Sequence, residues 1–220
     1  VAIIGAGPVG LAAAAQLALR DMPFVVLEAS SGVAGSFAST AHVKLFSTWE
    51  MNVDRGAVRL LEATGWTPPD PTVFPTAGEM RRHYLEPLAA LLQDKVRFGA
   101  RVAWVSRQHF DKVKTVGRNR APFVLRVRTQ AEEEDLLAQA VIDASGTWSN
   151  PNWMGANGTP AFGERELTAR ICYGMPDILG SQRVRYEGKR VMVVGAGHSA
   201  AGNLVALAEL SMGAPGTALV

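Results

Sequence analysis

A single cysteine, Cys172, is all that the 220 residues contain. A disulfide framework and any Cys-x-x-Cys redox pair are thereby excluded within this chain, and Cys172 reads as a buried small hydrophobe. Excess charge of one sign is missing as well. With 22 basic and 20 acidic side chains the net charge is +2, so no general electrostatic case exists for binding nucleic acid or a membrane. Long apolar runs are absent; residues 11–19 are too few for a membrane span. The chain opens directly on a strand with no signal-peptide pattern, and a reducing, cytoplasmic setting is expected. No nucleophile triad, metal-ligand spacing or catalytic carboxylate pair stands out. What remains is 48% hydrophobic and 19% charged, the composition of an ordinary globular protein with one large or two small domains.

The first ten residues organise the rest. Val1 to Ile4 reads as a short buried strand, Gly5-Ala6-Gly7-Pro8-Val9-Gly10 as G-x-G-x-x-G, and Leu11 to Arg20 as the helix that follows. Gly5 permits the tight turn, Gly7 lets a pyrophosphate approach bare backbone, and Gly10 lets helix and strand pack closely. The unpaired N–H groups and positive dipole end of the new helix favour phosphate. Phe24 to Leu27 makes a second apolar strand, closed by Glu28 at 18 positions after Gly10. A carboxylate there accepts the hydroxyls of an adenosine ribose and repels a 2′-phosphate. Strand, glycine turn, alanine-rich helix and strand-end acid together point to dinucleotide binding.

Further along, Ala29 to Phe37 is a loop of small residues able to wrap an adenosine and pyrophosphate. His42 to Trp49 reads as a strand or extended segment, whose Phe46 and Trp49 serve either the core or a flat ring. Arg55 to Thr64 suits a helix, and the prolines of Trp66 to Pro71 forbid regular structure. Thr76 and Glu79 have the spacing of a capping box. The helix it opens runs through Leu91, with Arg81, Arg82 and His83 on its solvated face and Pro87 as a point of kinking. From Lys95 short strands follow: Val96 to Phe98, Arg101 to Val105, and Phe123 to Arg128. Asp111 to Arg120 is a basic loop, too short and too poor in aromatics for a nucleic-acid patch. Glu132 to Asp135 reads as a solvated acidic turn. The strand Ala140 to Ala144 ends on Ser145-Gly146-Thr147, and the Gly/Asn/Pro-rich residues 148–163 look like a connection between domains.

A second fingerprint then appears. Val191 to Val194 is an apolar strand running into Gly195-Ala196-Gly197-His198-Ser199-Ala200, which is G-x-G-x-x-A, followed by a helix over Ala201 to Leu210. Ser199 is placed to donate to a phosphate, and His198 either joins it or is plain surface. Thr217 to Val220 begins the next strand. Two fingerprints 190 positions apart are far more specific than one. The second has only one strand–helix pair, so the chain is expected to be a fragment of a longer protein.

In the order Gly5 to Gly10, Glu28, Asp143-Ala144-Ser145-Gly146-Thr147 and Gly195 to Ala200, the chain resembles two-dinucleotide-binding-domain flavoproteins. It is most similar to flavin-containing monooxygenases and to thioredoxin-reductase-like NAD(P)H-dependent FAD oxidoreductases, over nearly its whole length. The resemblance implies an α/β fold: a Rossmann-like FAD-binding domain with a β-hairpin or meander insertion (residues 1–150), a linker (151–187), and the truncated start of a second Rossmann-like NAD(P)-binding domain (188–220). It also implies FAD and NAD(P)H as cofactors and a small-molecule substrate. Gly5, Gly7, Pro8, Gly10, Glu28, Ala29, Gly35, Ser36 and Phe37 would bind the FAD, with the backbone of Val102 at the adenine and Phe46 to Trp49 near the flavin. Ala144, Ser145 and Gly146 would lie where the chain leaves the FAD domain. Gly195, Gly197, His198, Ser199 and Ala200 would hold the nicotinamide cofactor's pyrophosphate.

The resemblance leaves the reaction open. Flavin-containing and Baeyer–Villiger monooxygenases carry Phe-x-Gly-x-x-x-His before the second fingerprint. Here Phe162-Gly163-Glu164 runs on through Ala169-Arg170-Ile171-Cys172-Tyr173 without a histidine, and the dithiol of thioredoxin reductases is missing too. Reductase and oxygenase both stand. A single-cofactor oxidase or halogenase is disfavoured by the second fingerprint, and a non-catalytic dinucleotide-binding or redox-sensing module is the alternative from another class.

Overall fold

The computed structural model describes residues 1–214 and 216–219, which form two compact units, Val1–Gly146 and Thr147–Val220. In the first unit, β1 (Ala2–Ile4) leads into α1 (Pro8–Ala18) and β2 (Val25–Leu27). Short helices α2 (Gly35–Ser39) and α3 (Trp49–Asn52) follow, then α4 (Arg55–Glu62) and α5 (Ala77–Met80). A π-helical turn over Arg81–Leu85 joins α5 to α6 (Glu86–Leu91). The remaining strands are β3 (Val96–Arg97), β4 (Arg101–Arg107), β5 (Phe123–Arg128), β6 (Glu133–Ala138) and β7 (Val141–Asp143). Four of the strands form a parallel sheet in the order β3-β2-β1-β7, and β4-β5-β6 form an antiparallel meander.

Strand periodicity explains the layering. Alternate side chains leave a strand on opposite faces, so Ile3, Val26 and Val96 enter the core beneath the helices. Ala2 and Leu27 enter a second core, against Leu125 and Val127 of the meander. Both faces of the parallel sheet are therefore covered, which is why these strands carry almost no polar residue. On the helical side, α1 buries Gly10, Leu11, Ala14 and Ala15, small enough to let α4 approach. Asp54 locks that contact: its carboxylate caps α4 through the Ala57 N–H at 2.9 Å and accepts from Gln16 of α1 at 3.0 Å. The Asp54 N–H donates in turn to the buried Tyr84 hydroxyl at 3.0 Å.

Three local readings need correction. Glu133, Glu134 and Asp135 belong to a strand, not to an acidic turn. Arg126 and Arg128 stand directly across from Asp135 and Glu133 in register, opposite charges that support pairing of neighbouring strands where a bare acidic run would resist it, and Arg97 of the parallel sheet pairs with Glu134. The turn lies one step earlier, over Thr129 to Glu132. The loop after Glu28 contains helix α2, entered through Ala34 in the left-handed conformation (φ 50°). Finally, the long helix is interrupted by a π turn just ahead of Pro87: the Glu86 N–H reaches the Arg81 carbonyl five residues back. Pro87 has no N–H to give the His83 carbonyl, and the Trp66 indole N–H donates there instead, at 2.8 Å.

The second unit holds α7 (Arg183–Tyr186), β8 (Arg190–Val191), α8 (His198–Gly213) and β9 (Ala218–Leu219), with β8 and β9 parallel. Its core gathers Ile178, Tyr186, Leu207 and Leu210, with Val191 and Val193 against them. Of the strand expected over Val191 to Val194, the first residue is the one that pairs among the described residues, and Met192 and Val194 are exposed. Val220, the end of the last expected strand, lies outside the described residues. Cys172 is exposed rather than buried. Instead, a carboxylate is buried: Glu164, 2% exposed, accepts from the Met154 N–H at 3.0 Å, the Ala161 N–H at 2.7 Å and the Tyr173 hydroxyl. Burial works to raise its pKa, but these donors outweigh it and hold the carboxyl below its usual range. The same bond pushes Tyr173 up to about 12. Among the described residues no helix is long and apolar enough to cross a membrane.

The capping box of α5 is present in full, with Thr76 and Glu79 bonding each other's backbone N–H. The Thr76 N–H, then its hydroxyl, holds the Glu79 carboxyl below its usual value of 4.5, with His83 and Arg82 adding positive charge nearby. A depressed folded pKa stabilises above the unfolded value and is lost as pH falls through the folded one. Urea unfolding is therefore expected to show Glu79→Gln less stable than the native chain at neutral pH, with the gap closing as pH drops below 4.5. Thr76→Ala is expected to cost about 1 kcal/mol.

Candidate functional site: the carboxyl edge of the parallel sheet

Strands β1, β2, β3 and β7 are parallel, so their carboxyl ends share one edge. The chain leaves β1 there between β2 on one side and β7 on the other, the kind of crevice where open α/β sheets take ligands. Gly5 makes the exit with φ +99°, and its N–H is held by the Leu27 carbonyl at 2.8 Å. A Cβ on Gly5 would fall 2.7 Å from the Ala144 carbonyl oxygen, and one on Gly10 only 1.9 Å from that of Gly5. Helix α1 is thus seated directly on the turn.

Gly7 differs. It is the N-cap of α1 in extended conformation, with φ −82° and ψ −174°, and no side chain caps the helix. A Cβ added to Gly7 would meet nothing within 4 Å. Packing does not require glycine here; a bare backbone facing open space before the uncapped N–H groups of an 11-residue helix is a cradle for an anion. Pro8 at the first turn removes a donor that the helix could not have used anyway.

Glu28 reaches this turn from the end of β2. Its Oε2 accepts from the Ala6 N–H at 2.7 Å, and its Oε1 accepts from the Ser30 N–H at 2.8 Å and from the Ser30 hydroxyl. The carboxylate is therefore held beside the glycine turn by a residue of the turn itself. The following loop folds back to the same place: the Ala34 N–H donates to the Ala6 carbonyl at 3.1 Å, and a Cβ on Gly35 would lie 2.6 Å from the Ser30 hydroxyl oxygen. Arg81, read from the sequence as part of a solvated face, donates to the Val33 carbonyl at 3.0 Å and pairs with Glu86. On the opposite flank, the Ala144 N–H binds the Ile4 carbonyl at 2.9 Å. Ser145 turns its hydroxyl and N–H to Asp143, and these hold that carboxyl below its usual range.

Gly5, Gly7, Pro8, Gly10, Glu28, Ala29, Gly35, Ala144 and Ser145 thus converge on one edge, with Gly146 (φ +70°) directly after. Ser36 and Phe37 sit on α2, Phe37 against the helical core. Val102 lies on β4 where the register shifts, packed in the meander core. Phe46 and Trp49 part company: Phe46 is 76% exposed, whereas Trp49 is 5% exposed and lies in the core. In the second unit the turn repeats, with Gly195 at φ +126° and Gly197 an extended N-cap without side-chain capping, facing open space. His198 and Ser199 open α8, and a Cβ added to Gly195 would lie 3.9 Å from that of Ala200, an ordinary contact. Two positioning residues, Ser30 and Arg81, escaped the sequence reading. Ser30 had a signal, a hydroxyl two residues after the strand-end acid; Arg81 had none.

Parallel strand, glycine turn, uncapped helix and strand-end carboxylate define an α/β protein of the dinucleotide-binding kind. The chain belongs to the pyridine nucleotide-disulphide oxidoreductase family, whose sequence profile matches residues 2–214. It is 32% identical over 202 residues to the indole-3-pyruvate monooxygenase YUCCA1 of Oryza sativa subsp. japonica, covering 90% of this chain and 42% of the rice protein. In structure it is similar to the bacillithiol disulfide reductase Bdr of Bacillus cereus, with a TM-score of 0.63 and 19% identity over 99% of this chain and 56% of the other. It is also similar to the FAD-bound cadaverine monooxygenase DfoA of Erwinia amylovora, with a TM-score of 0.66 and 18% identity over 99% of this chain and 49% of that one. The chain therefore spans about half or less of the length of these relatives.

The two glycines separate packing from binding. Gly10→Ala is expected to lose at least about 3 kcal/mol of stability through overpacking. Gly7→Ala should stay within about 1 kcal/mol of the native chain, the difference between two N-cap residues. Denaturant unfolding without added ligand measures both, and equal losses would contradict this geometry.

Proposed function

We propose that the chain is the FAD-binding part, together with the beginning of the NAD(P)H-binding part, of a flavoprotein oxidoreductase acting on a small molecule. The observation that carries this reading is the conjunction at the first edge: Glu28 bonded to the turn at Ala6, beside a Gly7 that packing leaves open. Residues 1–150 are assigned to the FAD domain, 151–187 to the linker, and 188–220 to the start of the NAD(P)H domain.

The residues fit the cofactor as follows. The N–H groups opening α1 bind the pyrophosphate, with Gly7 giving it access to the backbone. Glu28, already oriented by Ala6 and Ser30, keeps lone pairs for the ribose hydroxyls, and its charge discourages a 2′-phosphate. Gly35 to Phe37 close over the adenosine, and Ala144 to Gly146 form the opposite rim. Gly195 to Ala200 perform the same task for the nicotinamide cofactor. When bound, the flavin supplies two-electron chemistry, taking hydride from NAD(P)H and delivering electrons to a substrate or to oxygen. Each fingerprint would hold the phosphates of its own cofactor, and the protein's contribution is to position them.

Two considerations favour the monooxygenase direction over disulfide reduction. The relative at 32% identity is named a monooxygenase, and within these 220 residues the lone Cys172 cannot form a dithiol. Its exposed thiol suits a reducing, cytoplasmic setting.

The full-length protein containing this chain, titrated anaerobically with NADPH and separately with NADH, is expected to carry a flavin spectrum that bleaches with one of them. Readmission of air should restore the oxidised spectrum. A flavin that binds but bleaches with neither would contradict the enzymatic reading, and a protein that cannot be loaded with FAD would remove its basis.

A further inference from the structure

One peptide unit of the loop after Glu28 is gripped at both ends. The Ala34 N–H donates to the Ala6 carbonyl of the glycine turn at 3.1 Å, and the Val33 carbonyl, in the same unit, accepts from the Arg81 Nε at 3.0 Å. Val33 and Ala34 are both buried. Ala34 is also in the left-handed region, at φ 50°, which a residue with a Cβ holds only where its surroundings impose it. Helix α2, with Ser36 and Phe37, starts from that point. We propose that Arg81 and Glu86, paired across the π turn, set this loop for the adenosine half of the cofactor and so select FAD over flavins that lack it. The proposal rests on the assignment of the first edge to FAD.

Arg81 owes its aim to the π turn. Its Nη2 pairs with the Glu86 Oε1 at 3.0 Å, five positions further on. In a regular α-helix, residues five apart stand about 140° from each other around the axis, and helical ion pairs join residues three or four apart. Here the Glu86 N–H bonds the Arg81 carbonyl instead, and the wider π turn brings Glu86 round beside Arg81. The carboxylate takes one arm of the guanidinium fork, and Nε is left for Val33. A cationic donor makes a stronger bond to a carbonyl than a neutral one. The defect in the helix therefore has a consequence at the cofactor edge, although the pair acts only through Val33; both are positioning residues.

The effect is selective because the loop serves one half of the ligand. FMN shares the flavin and lacks the adenosine that Glu28 and Gly35 to Phe37 are assigned to hold. Releasing Val33 frees the loop at one end and leaves the phosphate cradle of Gly7 and α1 as it is.

Two measurements on the full-length protein test this. In the flavin-free protein, hydrogen exchange over residues 33–39 is expected to be about tenfold faster in Arg81→Met, the worth of one hydrogen bond from a charged group; unchanged exchange would overturn the proposal. In equilibrium titrations, Arg81→Met is expected to bind FAD about tenfold more weakly and FMN within about twofold of the native protein. Glu86→Gln, at an exposed ion pair, should weaken FAD about threefold. Because Glu86 acts through Arg81, adding it to Arg81→Met should cost nothing further. Arg81→Lys, whose single ammonium can serve Glu86 or Val33 but not both, should fall between. Equal weakening of both flavins, as a merely structural role would give, would overturn the proposal, as would additive losses in the double variant or a full FAD preference kept in Arg81→Met; each leaves the FAD assignment standing. A native protein with no preference for FAD over FMN would remove that assignment and the proposal with it.

Discussion

A helix laid directly on the turn that precedes it can have no side chain at the contact. Here that constraint falls on Gly10, where even a methyl carbon would stand 1.9 Å from the Gly5 carbonyl oxygen, and on Gly5, which abuts the Ala144 carbonyl. Everything at the carboxyl edge follows from this close seating. It fixes where α1 begins and aims its uncapped N–H groups outward. It also brings the Ala6 N–H within 2.7 Å of Glu28. The strand pairings β1–β2 and β1–β7 then bring the acid-bearing loop and the Ala144–Gly146 rim to opposite sides of the same opening.

The rest of the first unit keeps that edge rigid. The meander covers one face of the sheet and the helices the other, so the short strands, two or three residues each, are held by burial more than by their own hydrogen bonds. Asp54 joins α1, α4 and the Tyr84 hydroxyl in one network, and burial in turn raises the Tyr84 pKa. Arg81 ties the π turn to the loop after Glu28. Helix positions far from the turn in sequence thus contribute to the shape of the opening.

What was legible in the sequence was local chemistry. The glycine spacing marked the turn, Glu28 stood at a strand end, Thr76 and Glu79 had capping-box spacing, and the alternation of Phe123 to Arg128 marked a strand with one wet face. These depend on residues within a few positions of one another. The unreadable parts depend on distant partners. Glu133 to Ala138 becomes a strand because arginines of β5 and β3 face its carboxylates, and Arg81 leaves the solvated face because Val33 lies above it. Val191 to Val194 was read as a full strand, yet among the described residues only a two-residue partner, β9, lies beside it. Cys172 was read as buried, yet the thiol is exposed, while the carboxylate of Glu164 is buried where two backbone N–H groups and a tyrosine converge on it.

The central claim is that the first edge recognises an adenine dinucleotide through its pyrophosphate and ribose. The most direct measurement is a calorimetric titration of the flavin-free full-length protein with FAD and with FMN, which share the flavin but differ in the adenosine half. The account predicts FAD at least about tenfold tighter, a difference of about 1.4 kcal/mol or more, with the advantage lost in Glu28→Ala. Equal affinity for the two flavins would contradict it.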